Sequence, residues 1–272
     1  MKTRILTAVP LALLVVAFVW WGPKWLFLLI LLLLVEISLY EFFQLARAAG
    51  VRGIPWFAYL AGAALCLAQT VSADARAELL EVILLTSVFL AATFSLFRGK
   101  DLKEYWGCAA STVLGILYIG FCFSWFFPLR FSGVTDGRAA VLFLLLVNWA
   151  GDAFALLVGR TMGRHFFVPT ISPRKTVEGS IAGLAGSVLI GWLCWLWFWR
   201  TEELRTVILL SVVASIVGQM GDLVESAMKR AGGLKDSGGL LPGHGGLLDR
   251  IDSLVFAVPA VWLVLVLKSR LG

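Results

Sequence analysis

Between Lys24 and Glu36 the chain runs through eleven successive apolar residues, Trp25 to Val35, and apolar runs recur along its whole length. A soluble domain of 272 residues could not bury them all, because its helices and strands need polar faces between the apolar ones. With 60% hydrophobic and 15% charged residues and a mean hydropathy of +0.91, the excess apolar surface needs lipid as its solvent. A helix crosses the roughly 30 Å hydrocarbon core of a bilayer in about 20 residues. A soluble enzyme, a disordered chain and a secreted disulfide scaffold are excluded. The continuity of the runs also argues against a transmembrane barrel, whose strands alternate polar and apolar residues.

Spans are expected near residues 5–21, 25–45, 54–72, 79–97, 107–127, 139–159, 180–199, 205–228 and 253–269. The expected fold class is therefore all-α, a polytopic membrane helix bundle of about nine transmembrane helices forming one integral membrane domain over 1–272. The first span follows Lys2 and Arg4 as in a signal peptide, but no small-x-small cleavage site ends it, so it is expected to be retained. Placing the N-terminus in the cytoplasm puts 15 of the 23 basic residues on that side and 8 on the other, which predicts an outside C-terminus. The net charge of +6 is read as this bias and not as a nucleic-acid surface. Loops 160–179 and 229–252 then both face the cytoplasm. Cys66, Cys108, Cys122 and Cys194 lie in apolar runs with no close pair, as small core residues do.

An ionisable group at membrane depth is costly and normally faces a cavity or a partner. Five acids qualify: Glu36, Glu41, Asp152, Asp222 and Glu225. Glu41, near the end of its span, reads as a solvated helix end, whereas Glu36 is deep enough to bond a neighbouring helix or line a cavity. Asp152 shares a helix face with Asn148, followed there by Ala155 and Gly159, small residues that permit close helix contact. Asp222, Glu225, Ser226 and Lys229 fall at i, i+3, i+4 and i+7, so cation ligands and a phosphate contact share one helical stripe.

Snorkelling would explain Lys229 and Arg230 taken alone. Residues 232–246, however, hold seven glycines together with Lys235, Asp236 and His244, a backbone able to approach an anion closely. Asp249 and Asp252 follow in the first turn of the next helix, where carboxylates favour the dipole and can hold a divalent cation. In the other loop, Ser172-Pro173 suits a helix N-cap and first position, which would place Arg174, Lys175 and Thr176 at an anion-binding helix end.

The stretch from Ser226 through Lys229-Arg230, Lys235-Asp236 and Pro242-Gly243-His244-Gly245-Gly246 to Asp249-Arg250-Ile251-Asp252 resembles the signature of the CDP-diacylglycerol synthases, also called phosphatidate cytidylyltransferases. Residues 172–179 and the segment from Asp152 to Arg160 are similar to that family too, so the likeness covers roughly 148–252. Where the family often has a hydroxyl residue and then Tyr, this chain has Ala153 and Leu156.

The resemblance implies transfer of a cytidylyl group from CTP to phosphatidic acid in phospholipid biosynthesis, giving CDP-diacylglycerol and pyrophosphate. It implies Mg2+ as cofactor, as one cation or two, and a homodimer in a bacterial inner membrane with its active site facing the cytoplasm. Asp222 and Asp249 would be the main metal ligands, with Asp252, Glu225 and Asp152 beside them. Lys175, Lys229, Arg230, Lys235 and Arg250 would clamp phosphates, and His244 would bind the triphosphate or act as an acid or base. Ser172, Thr176, Ser226, Asp236, Gly245 and Gly246 would complete the substrate site. Residues 139–269 would carry the chemistry and residues 1–130 the scaffold and dimer contacts.

Two other readings differ in what they require. An ion-coupled transporter would show an inverted repeat and polar residues over both halves. Here the charged motifs gather in the last 125 residues. A CTP-dependent polyprenol or phytol kinase would move the γ-phosphate to an alcohol, and the complete signature argues against it.

Overall fold

The computed structural model describes residues 14–98, 101–239 and 245–271. Residues 14–21 are helical and lead through Gly22-Pro23 into α1, Lys24–Ala48. There follow α2, Pro55–Ala68; α3, Ala73–Arg98; and α4, Leu102–Phe131, which opens with a 3-10 turn and contains a π-helical turn at Ile116–Phe121. The remaining helices are α5, Gly137–Met162; α6, Val177–Trp197; α7, Leu204–Ala231; and α8, Leu248–Leu271. An isolated antiparallel bridge joins Phe166 and Thr176. Four cysteines are free, three of them buried and Cys122 half-buried.

Seven of these helices, all but α2, are long and apolar enough to cross a membrane. The difference from nine arises in two places. Most of the span expected at 5–21 lies outside the described residues. The span expected at 54–72 is the 14-residue helix α2, about 21 Å long at 1.5 Å per residue and so shorter than the hydrocarbon core. Yet α1 and α3 end at one shared cavity, lined by Arg47 and Arg98, so α2 and its flanking residues must return the chain to the opposite end.

Two ends of the bundle can be followed through contacts. At one, Glu202 accepts from Thr135 Oγ1 at 2.9 Å and pairs with Lys268 at 2.5 Å, gathering the α4–α5 and α6–α7 connections and the end of α8. Arg130 joins them to the leading helix by donating to Val19 O at 3.0 Å. At the other end, Arg230 of α7 donates to Ile171 O at 3.3 Å and to Leu234 O at 2.9 Å, so it joins the α5–α6 and α7–α8 loops. Helix α5 packs most extensively on α6, and α7 on α8. Small residues allow this, as expected for the Asn148 face: a Cβ placed on Gly183 of α6 would lie 3.1 Å from that of Ala155. Large apolar side chains such as Leu85, Phe89 and Leu263 face outward, as a lipid solvent requires.

Candidate active site

Helix α7 brings the first group of acids to the loop-bearing end. Asp222, Glu225 and Asp252, the last from α8, offer carboxylate oxygens that lie within 4.8 Å of one another. The two helices approach closely because α7 has no side chain at Gly221, where a Cβ would stand 2.5 Å from Asp252 O. Glu225 is fully buried, is paired with Lys229 one turn on, and keeps Oε1 without a hydrogen-bond partner among the described residues. Asp152 of α5 adds a fourth carboxylate within electrostatic reach of Asp222 and Asp252.

Carboxylates gathered in this way repel one another, and the two lysines predicted as phosphate clamps supply the compensating charge. Lys175 Nζ lies 2.7 Å from Asp222 Oδ2, although its loop belongs to a different part of the sequence. Lys229 Nζ bridges Glu225 and Asp249, 2.6 Å from Asp249 Oδ1. Ser226 donates to Asp222 Oδ1 at 3.3 Å. An oxygen-only donor set with one buried, unpartnered oxygen fits a hard divalent cation.

Asp249 stands beside this cluster and also organises the loop. Its Oδ2 accepts from Gly246 N at 2.8 Å and from Ser237 N at 2.9 Å, while Ser237 Oγ lies 2.9 Å away. The same hydroxyl is 3.1 Å from Glu41 Oε2, so its single proton serves one carboxylate at a time. Glu41 is 2% exposed and accepts from Leu247 N at 2.9 Å and Leu248 N at 2.7 Å, satisfying free donors at the start of α8. The expected solvated helix end is therefore a buried cap on another helix. Gly238 and Gly246 make room for it: a Cβ on Gly238 would lie 2.6 Å from Glu41 Oε1, and one on Gly246 would overlap Ser237 Oγ.

The second loop differs from expectation in one respect. Helix α6 begins at Val177, with Thr176 as N-cap accepting from Gly179 N at 3.1 Å, so Ser172-Pro173 does not start it. Residues 172–175 form a turn, with Lys175 N donating to Ser172 O at 3.2 Å. Thr wins as cap because its backbone is extended, pinned by the bridge to Phe166. Thr176 is thus buried and its oxygen occupied, while Lys175 still stands at the helix entrance.

The geometry brings Asp152, Lys175, Asp222, Glu225, Ser226, Lys229, Asp249 and Asp252 together. Arg230 instead braces the two loops, also donating to Leu234 O at 2.9 Å. Lys235, Asp236 and Arg250 are exposed, Ser172 is half-buried and Gly245 holds a positive φ of 80°. His244 lies outside the described residues.

Sequence reasoning singled out Glu41 but gave it a solvated place, and it missed Ser237 and Tyr118. Tyr118 sits on the π-helical turn of α4, is 2% exposed, has no hydrogen-bond partner for its hydroxyl among the described residues, and interacts electrostatically with Asp252, Glu225 and Asp222. π-turns inside helices are often found at functional sites. No periodicity marks a Tyr in an apolar span as different from its neighbours.

Fold and site together define a polytopic helical membrane protein in which acids and lysines from the α5–α6 loop and from helices α1, α5, α7 and α8 converge at one end. The chain belongs to the cytidylyltransferase family, whose model matches residues 2–268. It is 40% identical over 158 residues to a phosphatidate cytidylyltransferase of Staphylococcus haemolyticus and 42% identical over 160 residues to one of Staphylococcus aureus. Each alignment covers 58% of this chain and 59% of the relative's length.

Proposed function

We propose that this chain transfers the cytidylyl group of CTP to phosphatidic acid, giving CDP-diacylglycerol and pyrophosphate. The observation that supports this most is the meeting of four carboxylates with Lys175 from the α5–α6 loop and Lys229 from the end of α7, at one end of a membrane bundle. A phosphate oxygen of phosphatidic acid attacks the α-phosphorus of CTP, the bond to the bridging oxygen of the β-phosphate breaks, and pyrophosphate leaves. Several negative charges converge in that step, so the site must neutralise them and hold attack and departure in line.

Asp222, Glu225 and Asp252 would hold Mg2+, with Asp152 and Asp249 within reach for a second ion. Bound there, the cation supplies positive charge to the triphosphate oxygens. Lys175 and Lys229, which neutralise carboxylates in the free protein, turn to phosphate oxygens when substrate and cation are present. That exchange frees Asp249 Oδ1. Arg230 holds the loops in register, and Arg250, Lys235 and His244 complete the phosphate contacts.

The same reading takes nine spans, a cytoplasmic N-terminus and an active site facing the cytoplasm of a bacterial inner membrane, where CTP is available. It takes residues 139–269 as the chemical half and 1–130 as the scaffold that lends Glu41 and Tyr118 and pairs with a second copy. The test is transfer of label in purified protein given phosphatidic acid. Label from α-phosphate-marked CTP enters lipid, whereas γ-phosphate label leaves as pyrophosphate. Entry of γ-label into lipid would make it a kinase, and entry of neither would refute a transferase acting on these substrates.

A further inference from the structure

Three arginines converge away from the acids just described. Arg47 ends α1, Arg52 lies in the connection to α2, and Arg98 ends α3, and all three line one cavity of about 350 Å³ floored by Phe43 and Pro55. That volume is at the lower end of ligand sites, about 300–1,000 Å³. Among the described residues no carboxylate pairs with any of the three guanidinium groups, and none of the three makes a side-chain hydrogen bond. Glu104 lines a smaller adjoining cavity of about 140 Å³ with Arg52 and Arg98, without an ion pair to either.

Topology alone asks for basic residues on one side of the membrane; it does not ask three of them, all exposed at its mouth, to line one cavity. Gathered guanidinium groups without an ion-paired carboxylate among the described residues suit a phosphate, which each can take bidentately. The neighbouring surface indicates where that phosphate comes from. Trp56, Phe97, Leu102 and Trp106 are 51%, 84%, 81% and 78% exposed, an apolar and aromatic rim of the kind that sits at headgroup level. Basic pockets between helices at this depth take lipid headgroups. The cavity also belongs to the same end as the candidate active site, because a Cβ on Gly232 would lie 3.2 Å from Leu45 O near the end of α1.

We propose that the cavity lined by Arg47, Arg52 and Arg98 binds the phosphate of an anionic phospholipid, at a site separate from the acidic cluster. The shared chemistry is a phosphate group, which a lipid or free phosphate could bring, and the aromatic rim favours the lipid. Amide exchange at residues 47–55 and 94–98 reads the site directly in full-length protein. The arms are nanodiscs of phosphatidylcholine, nanodiscs of phosphatidylcholine with phosphatidylglycerol, and phosphatidylcholine nanodiscs with inorganic phosphate. Phosphatidylglycerol should slow exchange there about tenfold, and the Arg52→Gln/Arg98→Gln variant should lose the effect. Equal slowing by inorganic phosphate would keep the phosphate site and assign it a soluble ligand. Identical exchange of the wild type in all three arms would overturn the proposal, and that comparison requires no variant to fold.

Discussion

Replacing Glu41 with Gln removes one acceptor from a buried group whose neighbours are all donors. Oε2 faces two of them, Leu248 N and Ser237 Oγ, and Oε1 faces Leu247 N. The amide keeps its oxygen where two donors wait and turns its NH2 toward Leu247 N. One hydrogen bond to a charged group, about 1.5–3 kcal/mol, is lost, and a buried N–H is left unsatisfied at about 1–3 kcal/mol. Because these overlap, about 3 kcal/mol of local stability is expected to go, which raises the open fraction of the loop and first turn of α8 roughly a hundredfold. Amide exchange at residues 245–252 measures that change. Asp249 and Asp252 ride on the same turn, and a misplacement of about 1 Å can cost as much as a hundredfold in rate. Cytidylyl transfer should therefore fall at least about tenfold in kcat/KM. Glu36→Gln, on the same helix without contact to this loop, is the control. Unchanged exchange and unchanged kinetics in Glu41→Gln would refute the reasoning.

Asp222→Asn and Asp252→Asn should each abolish turnover while the detergent-solubilised protein keeps its thermal unfolding midpoint; full activity in either at ordinary Mg2+ would remove that acid from the cation site. Lys175→Ala should raise KM or lower kcat at least about tenfold, near 1.4 kcal/mol, and Lys175→Arg should restore only part of it, as steady-state kinetics will show. Gly246→Ala forces a methyl into Ser237 Oγ and the Glu41 carboxylate. It should cost about 1–3 kcal/mol of stability, read by thermal unfolding, together with most of the activity. Cysteine placed at the exposed position Arg174, in a chain lacking its own four thiols, should react with an impermeant reagent only in inside-out vesicles.

The helices were legible wherever a run of about 20 apolar residues lay between charges, because membrane crossing leaves that trace in composition. Helix α2 shows the limit: residues 54–72 look long enough to span, but Gln69-Thr70 and Ser72 shorten the helix to Ala68. The stripe of Asp222, Glu225, Ser226 and Lys229 could be read directly, since helical spacing fixes a shared face. That Asp252 joins Asp222 and Glu225, while Asp249 is held by Lys229 and the loop, depends on how α7 packs against α8. Spacing within one helix carries no record of that packing. Thr176 in place of Ser172 as helix cap was decided by the bridge to Phe166, a tertiary contact. Glu41 was hidden for the same reason, since its donors lie 196 to 207 positions away.

That separation bears on how the protein is made. Ribosomal synthesis delivers α1 to the membrane long before Leu247 and Leu248 exist, so Glu41 waits at the bundle end without the donors that later surround it. A chain stopped ahead of residue 237 carries most of its helices and none of the Glu41 contacts. Assembly of the acidic cluster thus becomes a late event in biogenesis, completed when the final helix docks.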